Sequence, residues 1–192
     1  MSAMSPTIAP PERHRGRLQL IGLIAVVVGP MLLATAMYRF GFWIPENRSY
    51  HGVLVGGQYG RAELGVPERD RQGWELLVTA PGDCAADCRE LVYLARQINI
   101  GLGREADRAG HALASATALP ADFEAQLTRE YPQLARYRLD RLHYEANPSL
   151  PTAPQLWIVD PHGNLVLRYG SGVQGKAILE DLRHLLKISR IG

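Results

Sequence analysis

The sequence predicts an α/β domain, with a central mixed sheet flanked by helices, preceded by a single N-terminal transmembrane helix. Two observations lead to this fold class. An uncharged apolar run extends from Leu18 to Tyr38, and short apolar segments alternate with amphipathic segments from Trp74 onward. The composition agrees, because 46% hydrophobic and 21% charged residues are typical of a globular protein rather than a disordered one.

The apolar run is long enough to cross a bilayer, since a helix rising about 1.5 Å per residue spans about 30 Å over this length. Gly29 and Pro30 lie inside it, and a membrane helix tolerates both. A cleaved signal peptide is the alternative, because Ala34 to Ala36 imitates an A-x-A cleavage site. The run exceeds the roughly 7–15 residues of a signal core, however, and continues through that site. We therefore expect residues 18–38 to be held in the lipid bilayer.

The basic residues around the run predict the orientation of the chain. Four precede it closely (Arg13, His14, Arg15, Arg17) and only Arg39 and Arg48 follow. The positive-inside rule then leaves the N-terminus in the cytoplasm. The predicted organisation is a cytoplasmic tail (1–17), a single-pass inner-membrane anchor (18–38), an extracytoplasmic tether (39–73) and a periplasmic domain (74–192).

Several function classes lack support in the sequence. The formal net charge is +2 and the basic residues are scattered, so nucleic acid is not an expected partner. No P-loop, G-x-S-x-G or H-E-x-x-H motif occurs, so nucleotide-binding and hydrolase functions have no motif to carry them.

The domain begins with a predicted buried strand, "WELLVTA" (74–80), which Pro81 and Gly82 close. Asp83 is a good helix N-cap. Apolar residues then recur at steps of three and four, which predicts a helix of about 18 residues ending near Gly101 or Gly103. Both cysteines would lie in its first turns.

The remaining elements follow in order. The segment 109–118 fits a strand or a short helix, and we favour the strand. We then expect a helix opening at Pro120, a short strand in 135–144, a hairpin and a last helix over 175–189. The hairpin consists of "PQLWIVD" (154–160) and "LVLRYG" (165–170) around "PHGN". A parallel βαβ half followed by an antiparallel hairpin and a covering helix is the thioredoxin layout.

The two cysteines, Cys84 and Cys88, form a C-x-x-x-C pair. Helical side chains at this spacing share a face with β-carbons about 5–6 Å apart, whereas a disulfide needs about 3.8 Å. Closing the bond would therefore distort the first turn, and a strained bond is more easily reduced. Two converging thiolates also suit Cu(I). The spacing favours reversible redox or metal chemistry, with a permanent structural disulfide as the alternative.

These segments resemble the Sco/SenC group of thioredoxin-like proteins over roughly residues 70–190. The resemblance is carried by "WELLVTAPGDCAADC", "TAPQLWIVDPHGNLVLRYG" and the closing helix, and "YHG" (50–52) resembles tethers of short anchored oxidase assembly proteins. It implies a protein that delivers copper to, or reduces the oxidised cysteines of, the copper centre of cytochrome c oxidase. Cys84 and Cys88 would be the redox pair or Cu(I) ligands. The partner would be the copper-bearing oxidase subunit or another assembly factor.

The chain differs from the Sco pattern at Thr152 and resembles thioredoxins at Pro154. Thr152 stands where Sco proteins carry their copper-binding histidine. Of the histidines at 51, 111, 143, 162 and 184, we take His143 as the candidate substitute. Pro154 stands where thioredoxins place a cis-proline beside the cysteines. Thr152 also supports a rival hypothesis, a non-catalytic interaction protein whose disulfide only stiffens a docking surface.

Overall fold

The computed structural model describes residues 13–40, 50–56, 59–68 and 73–189, and it divides into a unit up to Arg48 and a unit from Ser49. The first unit contributes α1 (Arg13–Phe40), which continues through Pro30. Its stretch Gln19–Met37 has a mean hydropathy of 2.4 and no buried part. By length and composition this helix can cross a membrane, as the sequence predicts. The tail predicted over 1–17 overlaps the start of α1, and its first twelve residues lie outside the described part.

The second unit is a mixed sheet with helices on both faces, which confirms the predicted fold class. Its strands are β1 (Val53–Leu54), β2 (Trp74–Ala80), β3 (Ala109–Ser115), β4 (Ala135–Arg138), β5 (Gln155–Val159) and β6 (Leu165–Tyr169). Its helices are α2 (Ala86–Gly101), α3 (Ala121–Glu130), α4 (Arg141–Glu145) and α5 (Gly175–Ile188), with a 3₁₀ turn at Gly103–Arg108. The strand order is β1-β6-β5-β2-β3-β4, in which β2, β3 and β4 run parallel and β5 runs antiparallel to β2.

Strand β2 lies inside the sheet, and all its residues are buried. Because successive side chains of a strand point to opposite faces, it contributes to two apolar clusters. Leu76 and Val78 join the cluster beneath α2, α3 and α5, which also contains both cysteines. Leu77 joins the cluster on the other face, with Leu64. A continuous apolar run is what a strand covered on both faces requires.

The register brings the ends of several strands to one edge of the sheet, called here the carboxyl edge. Ala80 at the end of β2 is level with Ser115 at the end of β3, and Ser115 is level with Arg138 at the end of β4. Gln155, the first residue of the antiparallel β5, is level with Thr79. The loops 81–85, 116–120 and 151–154 therefore emerge together at the carboxyl edge.

Part of the segment expected to be a tether packs onto the domain instead. Val53–Leu54 pair with β6, and the side chains of Leu64 and Val66 are buried in the core. Burial of these apolar side chains favours docking over a solvated linker. The compact unit thus begins well before Trp74, and residues 41–49, 57–58 and 69–72 of the expected tether lie outside the described part.

The segment 135–144 forms two elements rather than one strand. Strand β4 ends at Arg138, and α4 follows after Asp140, whose carboxylate accepts a hydrogen bond from the His143 amide at 3.2 Å. An aspartate at this position satisfies one of the free amides of a helix start. The strand in 109–118, the helix after Pro120, the hairpin and the last helix form where the sequence predicts them.

Candidate functional site

Cys84 and Cys88 are joined by a disulfide bond, with their α-carbons 5.0 Å apart. The prediction that both lie in the helix is wrong, because α2 begins at Ala86 and its N-cap is Ala85 rather than Asp83. The Ala85 backbone is extended, while its carbonyl already accepts the Arg89 amide at 3.0 Å. Cys84 therefore lies in the loop after β2, and the bond closes without the expected distortion of a helical turn.

The disulfide is buried beneath an exposed loop. Cys84 retains 3% of its surface and Cys88 none, and both belong to the apolar cluster beneath α2. By contrast, Gly82, Asp83 and Ala85 are exposed. An incoming group can therefore reach Cys84, through the loop 81–85, more readily than the fully buried Cys88.

The loop before Cys84 is held by the loop that follows β3. The Ala116 amide donates to the Ala80 carbonyl at 3.0 Å, and the Thr117 hydroxyl donates to the Gly82 carbonyl at 3.4 Å. Thr117 is not among the residues predicted for the site, and its only sequence signal is a position two residues beyond the end of a buried strand. These two hydrogen bonds connect the loop before Cys84 with the loop that follows β3.

Pro154 lies at the carboxyl edge, but it is not a cis-proline. No peptide bond in the described part of the chain is cis, so the bond before Pro154 is trans and the expected cis isomer is wrong. The trans form is the intrinsically favoured one. The buried Gln155 side chain also donates to the carbonyls of Pro154 at 2.8 Å and Ala153 at 3.3 Å, which holds this turn.

The histidines do not join the cysteine pair. Among the described residues, no group of three or more His, Cys, Asp or Glu side chains is placed to hold a metal ion. His143 is in α4, which packs through Tyr144 into the cluster on the sheet face opposite the cysteines. The expectation that His143 replaces the Sco histidine is therefore not met, because the sheet separates it from the sulfurs.

The other histidines have different surroundings. His51 Nδ1 lies 2.9 Å from Asp181, and the His184 ring packs edge-on against Tyr50. His111 is buried in β3, where burial, followed by the charge of Arg96, lowers its pKa below the usual value of 6.5. His162 lies in the turn between β5 and β6.

The donor set does not fit the copper site that the Sco resemblance implies. That site needs two thiolates and a histidine, whereas the two sulfurs are bonded to each other and no described histidine joins them. Only reduction of the bond would supply two soft ligands of the kind Cu(I) prefers.

The charges around the pair are mixed. The N-terminus of α2 favours negative charge at Cys88, which lies in its first turn. Asp87 in the same turn opposes that effect. Arg89 stacks over the Phe123 ring at 4.5 Å and lies 3.5 Å from Asp122, which joins the starts of α2 and α3.

Asp181 is a second group that sequence reasoning missed. It is buried, and its carboxylate accepts hydrogen bonds from the His51 amide at 2.8 Å, the Gly52 amide at 3.0 Å and the Tyr169 hydroxyl at 2.7 Å. Burial, followed by this carboxylate, raises the pKa of Tyr169 above its ordinary range, so the hydroxyl remains a donor. The only sequence signal for Asp181 is that it is a single acidic residue on the otherwise apolar face of the last helix.

Several solved structures are similar in fold. ScoI of Arabidopsis thaliana with copper bound is 10% identical, over 62% of this chain and 86% of that chain, with a TM-score of 0.49. Yeast Sco1 with copper bound is 12% identical, over 61% and 80%, with a TM-score of 0.48. The exposed lipoprotein thioredoxin Etrx1 of Streptococcus pneumoniae is 15% identical, over 59% and 85%, with a TM-score of 0.42. We assign no function from likenesses at this level.

The family comparisons cover both units of the chain. A family described as "Transmembrane-like, N-terminal domain" matches residues 10–41, which include α1. A family described as "Transmembrane-like, thioredoxin-like, C-terminal domain" matches residues 74–189, which include the cysteine pair. No curated protein matches the chain. The chain therefore belongs to the transmembrane-like, thioredoxin-like family, with an N-terminal membrane-type helix and a C-terminal thioredoxin-like domain.

Proposed function

We propose that this chain is a membrane-anchored thiol–disulfide exchange protein whose reactive group is the Cys84–Cys88 bond. One observation carries the proposal: the bond lies between the end of the inner strand β2 and the first turn of α2, directly beneath an exposed loop. A bond placed only to stiffen the domain would gain little there, since it closes a very short loop and the entropic gain from a disulfide grows with loop length.

The exchange begins at Cys84, the more accessible sulfur. A thiolate of a partner dithiol attacks the Cys84 sulfur, the bond to Cys88 breaks, and Cys88 leaves as a thiolate and takes up a proton. The N-terminus of α2 favours that leaving group. The second partner thiolate then attacks its neighbour's sulfur in the mixed disulfide and releases Cys84. Two electrons pass to the cysteine pair, and the partner dithiol becomes a disulfide.

The sequence supports a location and a partner for this exchange. The charge asymmetry around the apolar run supports a single-pass inner-membrane protein with its N-terminus in the cytoplasm and residues 74–192 in the periplasm. In that compartment dithiols and disulfides interconvert. The Sco/SenC resemblance supports the copper-bearing subunit of cytochrome c oxidase, or another assembly factor, as the partner. Because exchange is reversible, the reduced Cys84–Cys88 pair can in turn reduce a disulfide of that partner. In this proposal the chain exchanges disulfides with the partner's cysteines and does not carry the partner's copper.

The exchange is tested with the full chain in detergent micelles and a small dithiol, dithiothreitol. We expect one equivalent of disulfide to be reduced. The reverse exchange is followed in a Cys88→Ser variant with glutathione disulfide as the oxidant: the Cys84 thiolate should displace one glutathione thiolate and remain as a mixed disulfide, which mass spectrometry places on Cys84. No reduction by excess dithiothreitol under native conditions would contradict the proposal. A Cys84→Ser variant is the matched control, because it leaves only the buried sulfur.

A second candidate function is a non-catalytic interaction protein of the same machinery. The observation in its favour is the burial of both sulfurs, at 3% and 0% exposure. This candidate predicts that cells with the Cys84→Ala, Cys88→Ala double variant keep their oxidase activity, when the variant is present at the same level as the wild-type protein. The exchange proposal predicts that activity is lost.

A further inference from the structure

Resting on the proposed exchange function, we propose that a cleft at the carboxyl edge binds an extended, acidic segment of the partner protein. The cleft has a volume of about 430 Å³ and lies between β4, α3 and the loop 116–119. Leu113 and Leu119 give it apolar walls, and Arg136 and Arg138 line it from β4. Such a cleft supplies an apolar floor and cationic groups to one ligand.

The outer side of β4 offers backbone groups for pairing. In the described part of the chain, β4 is a terminal strand of the sheet and pairs only with β3. The Leu139 amide just beyond it donates to the Ser115 carbonyl of β3 at 3.0 Å. Because backbone groups alternate in direction along a strand, those of Arg136 and Arg138 point away from β3. An extended segment can therefore add to the sheet at these two residues.

The side chains of Arg136 and Arg138 differ in their partners, and Arg138 is the one that favours an acidic ligand. Both are exposed, and they share a face of β4 because they are two positions apart. Arg136 lies 3.7 Å from Glu124, which also lines the cleft, whereas Arg138 forms no ion pair within the described part of the chain. A guanidinium without a carboxylate favours a carboxylate from a ligand. An acidic residue placed next to Arg138 therefore fits this surface.

The cleft leads to the disulfide. Thr117 lines the cleft and donates its hydroxyl to the Gly82 carbonyl. Gly82 precedes Cys84 by two positions, so the loop covers at most about 7 Å between them. A segment paired with β4 thus lies beside the loop that covers Cys84, and a cysteine that follows the segment can approach Cys84 through that loop. The acidic segment would select the partner, and the exchange at Cys84 would then proceed as described above.

The docking step can be measured without the exchange step. The probe is a short synthetic peptide of alternating valine and glutamate residues that contains no cysteine. We expect saturable binding to the full chain in micelles, and protection of the Arg136 and Arg138 amides from hydrogen exchange. Methylation of alternate peptide nitrogens, in the register that faces β4, should abolish binding, because it removes the paired donors.

Charge selection is tested with Arg138→Glu, and with Arg138→Gln as a milder variant. We expect Arg138→Glu to weaken binding of the acidic peptide about threefold to tenfold, in line with one exposed ion pair lost and one repulsion gained. Lys176→Glu makes the same charge change at an 82% exposed site on α5 and should leave binding unchanged.

Two outcomes would overturn the docking proposal. One is equal binding of a lysine–valine peptide; the other is protection of amides outside β4 with Arg136 and Arg138 unaffected. Reduction by dithiothreitol is measured in parallel and does not depend on the cleft. If the bond is reduced but the acidic peptide does not bind, docking fails and the exchange function stands. If the peptide binds but the bond resists reduction, the exchange function fails instead.

Discussion

The backbone amide and the Nδ1 atom of His51 both contact the buried carboxylate of Asp181, 130 positions away in the sequence. The contact fixes the segment that enters the domain against α5 and β6. Gly52 and Tyr169 complete the arrangement on the same carboxylate. The part of the chain that packs onto the domain therefore begins well before β2.

Replacing Asp181 should destabilise the domain. In Asp181→Asn an amide replaces an acceptor of several hydrogen bonds, and bonds to a charged group contribute about 1.5–3 kcal/mol each. We expect a loss of about 1.5–3 kcal/mol in the free energy of unfolding, measured by urea denaturation at neutral pH. Glu180→Gln is the control, because that side chain is 50% exposed and its change should have almost no effect. An equal loss in both variants would contradict this role of Asp181.

Gly52 should tolerate no side chain. A β-carbon at this residue would lie 2.6 Å from the Tyr169 ring, which is buried and bonded to Asp181. We expect Gly52→Ala to cost about 1–3 kcal/mol, as overpacking of a core does. Gly56→Ala is the matched control, since nothing lies within 4 Å of its β-carbon. Thermal unfolding of the two variants checks the difference, and similar midpoints would show that the segment is not fixed on Tyr169.

The fold was predictable wherever a pattern is local. The run 74–80 and the hairpin around "PHGN" carry their own apolar and turn signals, so both form as expected. His51 and Gly52 dock through Asp181, and no local pattern in the sequence indicates so distant a partner. The start of α2 was misplaced because Asp83 suits an N-cap, while the extended Ala85 backbone lets the disulfide close.

The candidate site, too, was predictable only where its signal is local in the sequence. The C-x-x-x-C spacing identifies the pair, but whether the sulfurs are bonded depends on the loop conformation. His143 is close to Thr152 in sequence, yet α4 lies on the other face of the sheet. The isomer before Pro154 depends on the turn that Gln155 holds.

The buried ion pair between Arg61 and Glu75 should be sensitive to the loss of one partner. Both side chains are almost fully buried, and Arg61 Nε also donates to the Pro67 carbonyl at 3.0 Å. Because Glu75→Gln leaves a buried guanidinium without its carboxylate, we expect a loss of about 3–5 kcal/mol in stability. The double variant Arg61→Met, Glu75→Leu should cost less, because no charge remains buried. Denaturation in urea measures both, and a costlier double variant would contradict the prediction.

His111 should make stability depend on pH. Burial and the charge of Arg96 lower its pKa below 6.5 in the folded chain, so between that lowered value and 6.5 the unfolded chain binds more protons. The contribution of His111 is therefore complete above about pH 6.5 and is lost progressively as the pH falls towards the lowered pKa. In His111→Gln this loss should be absent, whereas in His143→Gln, which changes an exposed residue, it should persist. Unfolding free energies between neutral and mildly acidic pH make the comparison, and parallel curves for wild type and His111→Gln would contradict it.

The reduction potential of the Cys84–Cys88 pair tests the central claim most directly. It is measured by equilibrating the full chain in micelles with glutathione or dithiothreitol couples and counting alkylated thiols. The exchange function predicts a potential above about −300 mV, in the range of bonds that proteins open reversibly. A potential well below about −300 mV would mark a structural bond and contradict the account.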